Sequence, residues 1–355
     1  MIQLRLVKLY DMMAASRLDG IVITKPKNRR YFSGFAGSSG MLVISRHSQE
    51  LLTDFRYIEQ AKQQAPLYEI VRHGTSIYDT LAETVRQMGL ERIGFESDFV
   101  TWQVYQQSTS CLPTIEFAPV QLDCLRMIKD RQELDLLATA VEIADCAFDQ
   151  ALNMIRPGIT ELDVAHELEY QMRKLGAEKP AFDTIVASGV RGALPHGKAS
   201  DKVIEAGELI TIDFGAVYQG YHSDMTRTVA VGKATDKQRD IYAIVLAAQL
   251  AGIGAVKAGK TGKEIDHIAR QIITAAGYGE YFGHGLGHGV GLFIHEDPRL
   301  SPSGDIELAE GMVTSVEPGI YLPDWGGVRI EDLVVVTTAG CTVLTASSKD
   351  LIELG

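Results

Sequence analysis

The chain has 355 residues, 46% hydrophobic and 23% charged, with 34 basic residues against 46 acidic ones and a net charge of −12. That length suggests two domains or one large one, and the acidic balance argues against a nucleic-acid or anionic-membrane surface while leaving room for clustered carboxylates. No apolar run approaches the roughly 20 residues of a membrane span, and Cys111, Cys124, Cys146 and Cys341 are scattered without a CxxC pair, as reduced thiols of a cytoplasmic protein would be.

Taken in chain order, the opening "MIQLRLVKLYDMMAASRLDG" reads as an amphipathic helix rather than a signal peptide. The β-type runs "GIVIT" at 20–24, "GMLVIS" at 40–45 and "RIGFE" at 92–96, with a helical "SIYDTLAETVRQMG" among them, describe an α/β domain. The texture then changes to a long helix in which Leu134, Leu137, Val141, Ala144, Phe148, Leu152 and Ile155 recur near heptad spacing until Pro157-Gly158. Two domains are expected, 1–124 and 125–355.

The second domain holds a faint internal repeat. Residues 155–176 laid over 256–277 match Gly158 with Gly259, Thr160 with Thr261, His166 with His267 and Gly176 with Gly277. In each copy a helix stops at glycine, and a threonine offers an N-cap with an acid three residues on, Asp163 or Glu264, before a second helix. Two similar α/β halves facing each other are expected.

After the first copy, "ELITIDFGAVYQGYHSDMTRTVAV" makes two β-type runs around "YQG". A hairpin centred between Tyr218 and Gln219 sets Asp213 directly opposite Asp224, and moving the centre by one residue keeps both on one face. Like charges across a strand pair are destabilising and aspartate is depleted in strands, so a cation is expected between them. After the second copy, "GMVTSVEPGIY" and "GGVRIEDLVVV" embed Glu317 and Glu331 among apolar neighbours.

Between these runs lies "HGLGHGVGLFIHE", residues 284–296. The step from His284 to His288 would suit an HExxH helix, but Gly285 stands where the glutamate base belongs. Each glycine would cost a helix about 1 kcal/mol, so an extended chain is expected, with His284, Leu286 and His288 on one side and His295 returning by a bend. Four carboxylates beside this strand make a metal cage a better explanation than exposed edge residues. An oxygen-rich set with a single nitrogen suits manganese, cobalt or ferrous iron, with zinc compatible. Two divalent ions would balance the four charges, and such pairs, roughly 3.5–4 Å apart, generate a nucleophile and hold an oxyanion.

The order Asp213, Asp224, His288, Glu317, Glu331, with "PHG" at 195–197 and "HGLGHGVGLFIHE", resembles the pita-bread metallopeptidases, which include methionine aminopeptidase, aminopeptidase P and prolidase. "NRRYFSGF" at 28–35 and "DFRY" at 54–57 resemble the creatinase-type amino-terminal domain that accompanies the proline-specific members. Creatinase shares the fold but lacks the metal ligands; all five are present here.

The resemblance implies an α+β protein, a pita-bread catalytic domain of two pseudo-symmetric α/β halves preceded by a smaller creatinase-type domain. It makes Asp213, Asp224, His288, Glu317 and Glu331 the metal ligands, with Asp224 and Glu331 bridging and Glu317 also shuttling protons. His196 and His295 would contact the scissile amide, and His284 and Arg299 fall at substrate-binding positions, Arg299 where prolidases meet the free carboxylate of the substrate's proline. Arg329 would orient the Glu331 carboxylate.

The expected activity is hydrolysis of the Xaa-Pro bond at the free N-terminus of short peptides. A strict Xaa-Pro dipeptidase is the alternative, followed by a methionine-aminopeptidase-like activity and a non-enzymatic peptide-binding member. Relatives are often dimers, so a homodimer without nucleic-acid or membrane partners is expected. A serine hydrolase is disfavoured because "SGFAGSSG" holds no GxSxG elbow, and a dinucleotide enzyme because "GHGLGHGVG" fails GxGxxG.

Overall fold

The computed structural model describes residues 1–355. The chain divides into two compact units, Met1–Arg126 and Met127–Gly355.

In the first unit, strands β1 (Gly20–Ile23), β2 (Met41–Ser45), β3 (Gln49–Thr53), β4 (Glu69–Arg72), β5 (Arg92–Glu96) and β6 (Glu116–Val120) form one sheet in the order β4-β3-β2-β1-β5-β6. Only β1–β2 and β2–β3 are antiparallel; β3–β4, β1–β5 and β5–β6 are parallel. Parallel neighbours need crossovers, for which helices α3 (Ile58–Gln64), α4 (Ile77–Gln87) and α5 (Trp102–Cys111) stand between the strands, while α1 (Ile2–Ala15) precedes β1 and α2 (Pro26–Ser33) lies between β1 and β2. The expected strands at 20–24, 40–45 and 92–96 and the helix at 76–89 are all present, the helix capped by the Ser76 hydroxyl.

The second unit opens with α6 (Arg131–Leu152), which ends at an Asn153 cap, three residues short of the expected Ile155. Then follow α7 (Glu161–Lys174), β7 (Lys179–Pro180), β8 (Ile185–Ser188), β9 (Leu209–Phe214), β10 (Ala216–Tyr218), β11 (Tyr221–His222) and β12 (Met225–Val231). The second half runs α8 (Asp236–Ala255), α9 (Gly262–Ala275), β13 (Gly287–Gly289), β14 (Glu296–Leu300), β15 (Val313–Val316), β16 (Gly319–Leu322), β17 (Gly326–Arg329), β18 (Asp332–Val336), β19 (Cys341–Val343) and β20 (Glu353–Leu354). The main sheets are β20-β12-β9-β8 and β14-β13-β15-β18-β19.

The repeat is structural. Helices α7 and α9 are both 14 residues long, and each starts with a full capping box, Thr160 with Asp163 and Thr261 with Glu264. Each start is crossed by a later segment in the same way. Glu161 and Leu162 N–H groups donate to the carbonyls of Lys202 and Ser200, and those of Gly262 and Lys263 to Ile306 and Gly304. One apolar core lies mainly between α6–α7 and the first sheet, with Phe148, Leu168, Ile212 and Phe214; the other lies mainly beneath α8–α9, with Val245, Ile265, Leu286 and Val316.

Candidate active site

The acids sit on two hairpins, and three of the four lie where a ladder breaks. In the first hairpin Asp213 pairs with Thr226 and Phe214 with Met225; after a gap the ladder resumes with Val217 and His222. The turn is Gln219-Gly220, both left-handed at φ 44° and 77°, as a two-residue type I′ turn requires. The hairpin is therefore centred one residue beyond the Tyr218–Gln219 position. Asp213 and Asp224 lie diagonally on one face instead of directly opposite. The gap is kept tight by Gly215, where a Cβ would come within 1.9 Å of the Ser223 carbonyl.

In the second hairpin one register pairs Val316 with Asp332 and Gly319 with Arg329, which places Glu317 opposite Glu331 in the interruption between. Their N–H groups turn to neighbouring segments, Glu317 donating to Leu286 O at 2.8 Å and Glu331 to Thr226 O at 3.1 Å. The histidine strand fits because of its glycines: a Cβ at Gly287 would meet Ser315 O at 2.0 Å, and one at Gly289 would meet Asp297 O at 2.2 Å. Bends at 284 and 286 break the expected alternation, so Leu286 packs into the core while His284 and His288 line the site. A run of bends after Val290 returns His295 until its ring centroid is 4.4 Å from that of His288.

Donor oxygens of Asp213, Asp224 and Glu331 lie within 4.8 Å of one another. His288 Nε2 stands 3.6 Å from Asp224 Oδ2 and 3.4 Å from Glu317 Oε1. Burial, then Glu331, Asp213 and Glu317, drives the Asp224 carboxyl well above its usual range; burial, then Glu317 and Asp213, does the same to Glu331. Burial also pushes Glu317 up to about 7. His288 is pushed down to about 3 by burial first and His295 second, so its imidazole is neutral. Its Nδ1 faces the Gly289 carbonyl at 3.1 Å and must donate there, which leaves the Nε2 lone pair toward the carboxylates. Asp213 Oδ1 and Glu331 Oε1 are buried with no hydrogen-bond partner. A divalent cation fits this donor set, since orphaned carboxylate oxygens and a neutral imidazole lone pair are what it coordinates.

Arg329 is placed differently from expectation. Its guanidinium donates to Asp213 Oδ2 at 2.6 Å, Thr226 Oγ1 at 3.0 Å, Tyr321 Oη at 2.8 Å and Pro195 O at 3.3 Å. Glu331 is reached only through Thr226, whose hydroxyl donates to Glu331 Oε2 at 2.7 Å. The Tyr321 hydroxyl, accepting from Arg329, passes its own proton toward His284 Nε2 at 2.8 Å, because His284 Nδ1 donates to the Gly285 carbonyl. Thr226 and Tyr321 were not singled out from sequence. The signal for Tyr321 is a pair of glycines: a Cβ at Gly319 would meet its hydroxyl at 2.5 Å, and one at Gly327 its ring at 3.0 Å.

Two cavities of about 320 Å³ each open on the cluster and share His196, Asp213, His288, His295 and Glu317. One is rimmed by His284, Arg299, Tyr321 and Arg329; the other is walled by Phe182, Ile185 and Ile294. All ten residues singled out from sequence line one cavity or both.

Two pseudo-symmetric halves closing on a buried cage of acids and imidazole, with clefts on either side, define a metal-dependent hydrolase. Residues 135–338 match metallopeptidase family M24, and residues 5–128 match the creatinase/prolidase N-terminal domain; the chain belongs to metallopeptidase family M24. Over 352 residues it is 44% identical to the Xaa-Pro dipeptidase of Pyrococcus furiosus, covering 98% of this chain and 99% of that one. Among solved structures, an Xaa-Pro dipeptidase from Bacillus anthracis superposes with a TM-score of 0.96 at 48% identity over 100% of both chains. An X-Pro aminopeptidase from Thermotoga maritima gives 0.91 at 42% identity over 95% and 97%.

Proposed function

We propose that the protein hydrolyses the Xaa-Pro bond at the free N-terminus of short peptides, as an Xaa-Pro aminopeptidase. Asp213, Asp224, His288, Glu317 and Glu331 would hold two divalent ions, manganese or cobalt first, with zinc or ferrous iron compatible. The observation that carries this reading is the buried cage itself, with Asp213 and Glu331 oxygens left without a hydrogen-bond partner and a neutral His288 whose Nε2 stands 3.6 Å from Asp224 and 3.4 Å from Glu317. When bound, such a pair makes water acidic enough to supply a nucleophile near neutral pH and offsets negative charge on the carbonyl oxygen.

The chain's own residues supply the rest. His196 and His295 are exposed on the wall common to both cavities, where an imidazole can donate to the scissile carbonyl or pass a proton to the leaving nitrogen. Arg329 and Tyr321 hold Asp213 and His284 in fixed orientations. A specific observation favours the dipeptidase as second reading: Arg299 lines the cavity rimmed by His284, Tyr321 and Arg329, and the distance to its Asp297 partner is a long 4.0 Å. Matched Xaa-Pro and Xaa-Pro-Yaa substrates, with added manganese and Met-Ala as control, test both. Cleavage of the dipeptide alone selects the dipeptidase, and cleavage of neither proline substrate removes the proposal. The reading includes a cytoplasmic homodimer, supported by four free cysteines and by the family resemblance; light scattering tests the dimer. No helix is long and apolar enough to cross a membrane.

A further inference from the structure

His196 sits on a segment that has almost nothing apolar to hold it. Of residues 189–199 only Gly192 and Gly197 are buried, while Val190, Leu194 and His196 are exposed. Such a stretch should be mobile unless polar contacts fix it; Arg329 donates to Pro195 O at 3.3 Å and Ala199 N to Thr184 O at 3.4 Å, but the largest set of contacts converges on one side chain. Glu161 is fully buried. Its Oε1 accepts from Ser188 N at 2.7 Å and Ser188 Oγ at 2.9 Å. Its Oε2 accepts from Ser200 N at 3.2 Å, from Ser200 Oγ at 2.7 Å and from the Arg191 guanidinium. Arg191 in turn donates to Lys198 O at 2.9 Å. Both ends of the segment and its middle are thus gathered on a single carboxylate.

Helix α7 does not need this carboxylate for its own start. The Thr160–Asp163 capping box already satisfies the first turn, and the pseudo-symmetric helix α9 begins with the same box but has Gly262 at the equivalent place. There a Cβ would meet the Arg299 carbonyl at 1.9 Å. The two helix starts therefore underpin two segments that line one cavity, one by a reaching acid beneath the His196 segment and one by close approach to the Arg299 strand.

We infer that Glu161 is the positioning residue for His196, fixing the 188–200 segment so that the imidazole meets the scissile amide. The inference rests on the reading of His196 as a group that contacts that amide. A misplacement of about 1 Å costs on the order of a hundredfold in rate, so loosening the clamp should reach turnover while leaving the metal cage intact.

The test is a double-mutant cycle on the manganese-loaded enzyme with an Xaa-Pro dipeptide. Glu161→Gln keeps the volume but turns an amide toward donors. It is expected to lower kcat roughly tenfold or more, with metal content unchanged and faster deuterium uptake in 189–199. In a His196→Ala background the same change should cost less than about twofold, because residues acting through one another are non-additive. An equal loss in both backgrounds would show a general structural defect and overturn the inference, as would no loss with His196 present. If His196→Ala alone matches the parent, the reading of His196 fails and the inference with it. Should Glu161→Gln fail to fold, Ser200→Ala removes a single donor; it should give a smaller loss that again vanishes without His196, and a persistent loss would count against the clamp.

Discussion

At the scale of single residues, chemistry was legible where it violated local rules. Aspartates and glutamates in valine-rich strands, and histidines between glycines, advertise a cost that a bound ion or a buried basic partner must offset. Thr226 and Tyr321 violate nothing; a threonine or tyrosine in a strand is ordinary, and their roles come from partners distant in sequence. Arg299 lies between these cases. It is 47% exposed with only a long contact to Asp297, and exposed pairs contribute about 0–1 kcal/mol, so nothing holds it away from a substrate carboxylate in the cavity. Arg299→Ala should therefore lower kcat/KM for an Xaa-Pro dipeptide by about 2 kcal/mol or more, roughly thirtyfold, and affect the matching tripeptide far less, since its proline carbonyl is an amide. Equal losses on both substrates would sink the carboxylate clasp.

At the scale of elements, the runs were readable and their registers were not. Alternation marked the strands around Asp213, Asp224, Glu317 and Glu331, but the turn at Gln219-Gly220 moved the first hairpin by one residue, a choice set by backbone conformation at two positions. The breaks that open the ladders at Asp224, Glu317 and Glu331 depend on neighbouring strands, which no local pattern carries. The glycines of the histidine strand were legible as non-helical, while their use, close approach on both sides, needed the sheet. Gly287→Ala tests that use. Its Cβ would meet the Ser315 carbonyl at 2.0 Å, whereas one at Gly283 meets nothing within 4 Å. Overpacking of this kind costs about 1–3 kcal/mol or more, and the displaced strand carries His288. Gly287→Ala should lower both Tm and metal affinity, with Gly283→Ala near the parent on both. Parent-like metal binding in Gly287→Ala would show that the strand can shift without disturbing the cage.

At the scale of the whole molecule, the cage joins the two halves of the catalytic unit. Asp213 and Asp224 come from the first half, and His288, Glu317 and Glu331 from the second. Leu209 and Ala230 of the first half pack into the second half's core, and what meets at the cage itself is charge: Asp224 and Glu331 are 5% and 1% exposed, and after burial itself a neighbouring carboxylate raises the proton affinity of each, Glu331 that of Asp224 and Glu317 that of Glu331. In the metal-free protein that repulsion opposes folding, whereas an ion bound only by the folded state stabilises it by about 2.7 kcal/mol at a hundredfold excess over Kd. For a unit of this size that corresponds to roughly 5–10 °C in Tm. Chelation should lower Tm by that order, and manganese should restore it. Glu331→Gln separates the two effects, because it removes one buried negative charge and one ligand together. The metal-free variant should melt no lower than the metal-free parent, and added manganese should no longer raise its Tm or support turnover. A variant that melts several degrees lower when metal-free, yet still gains the full increment with manganese, would show that Glu331 holds the fold and not the ion.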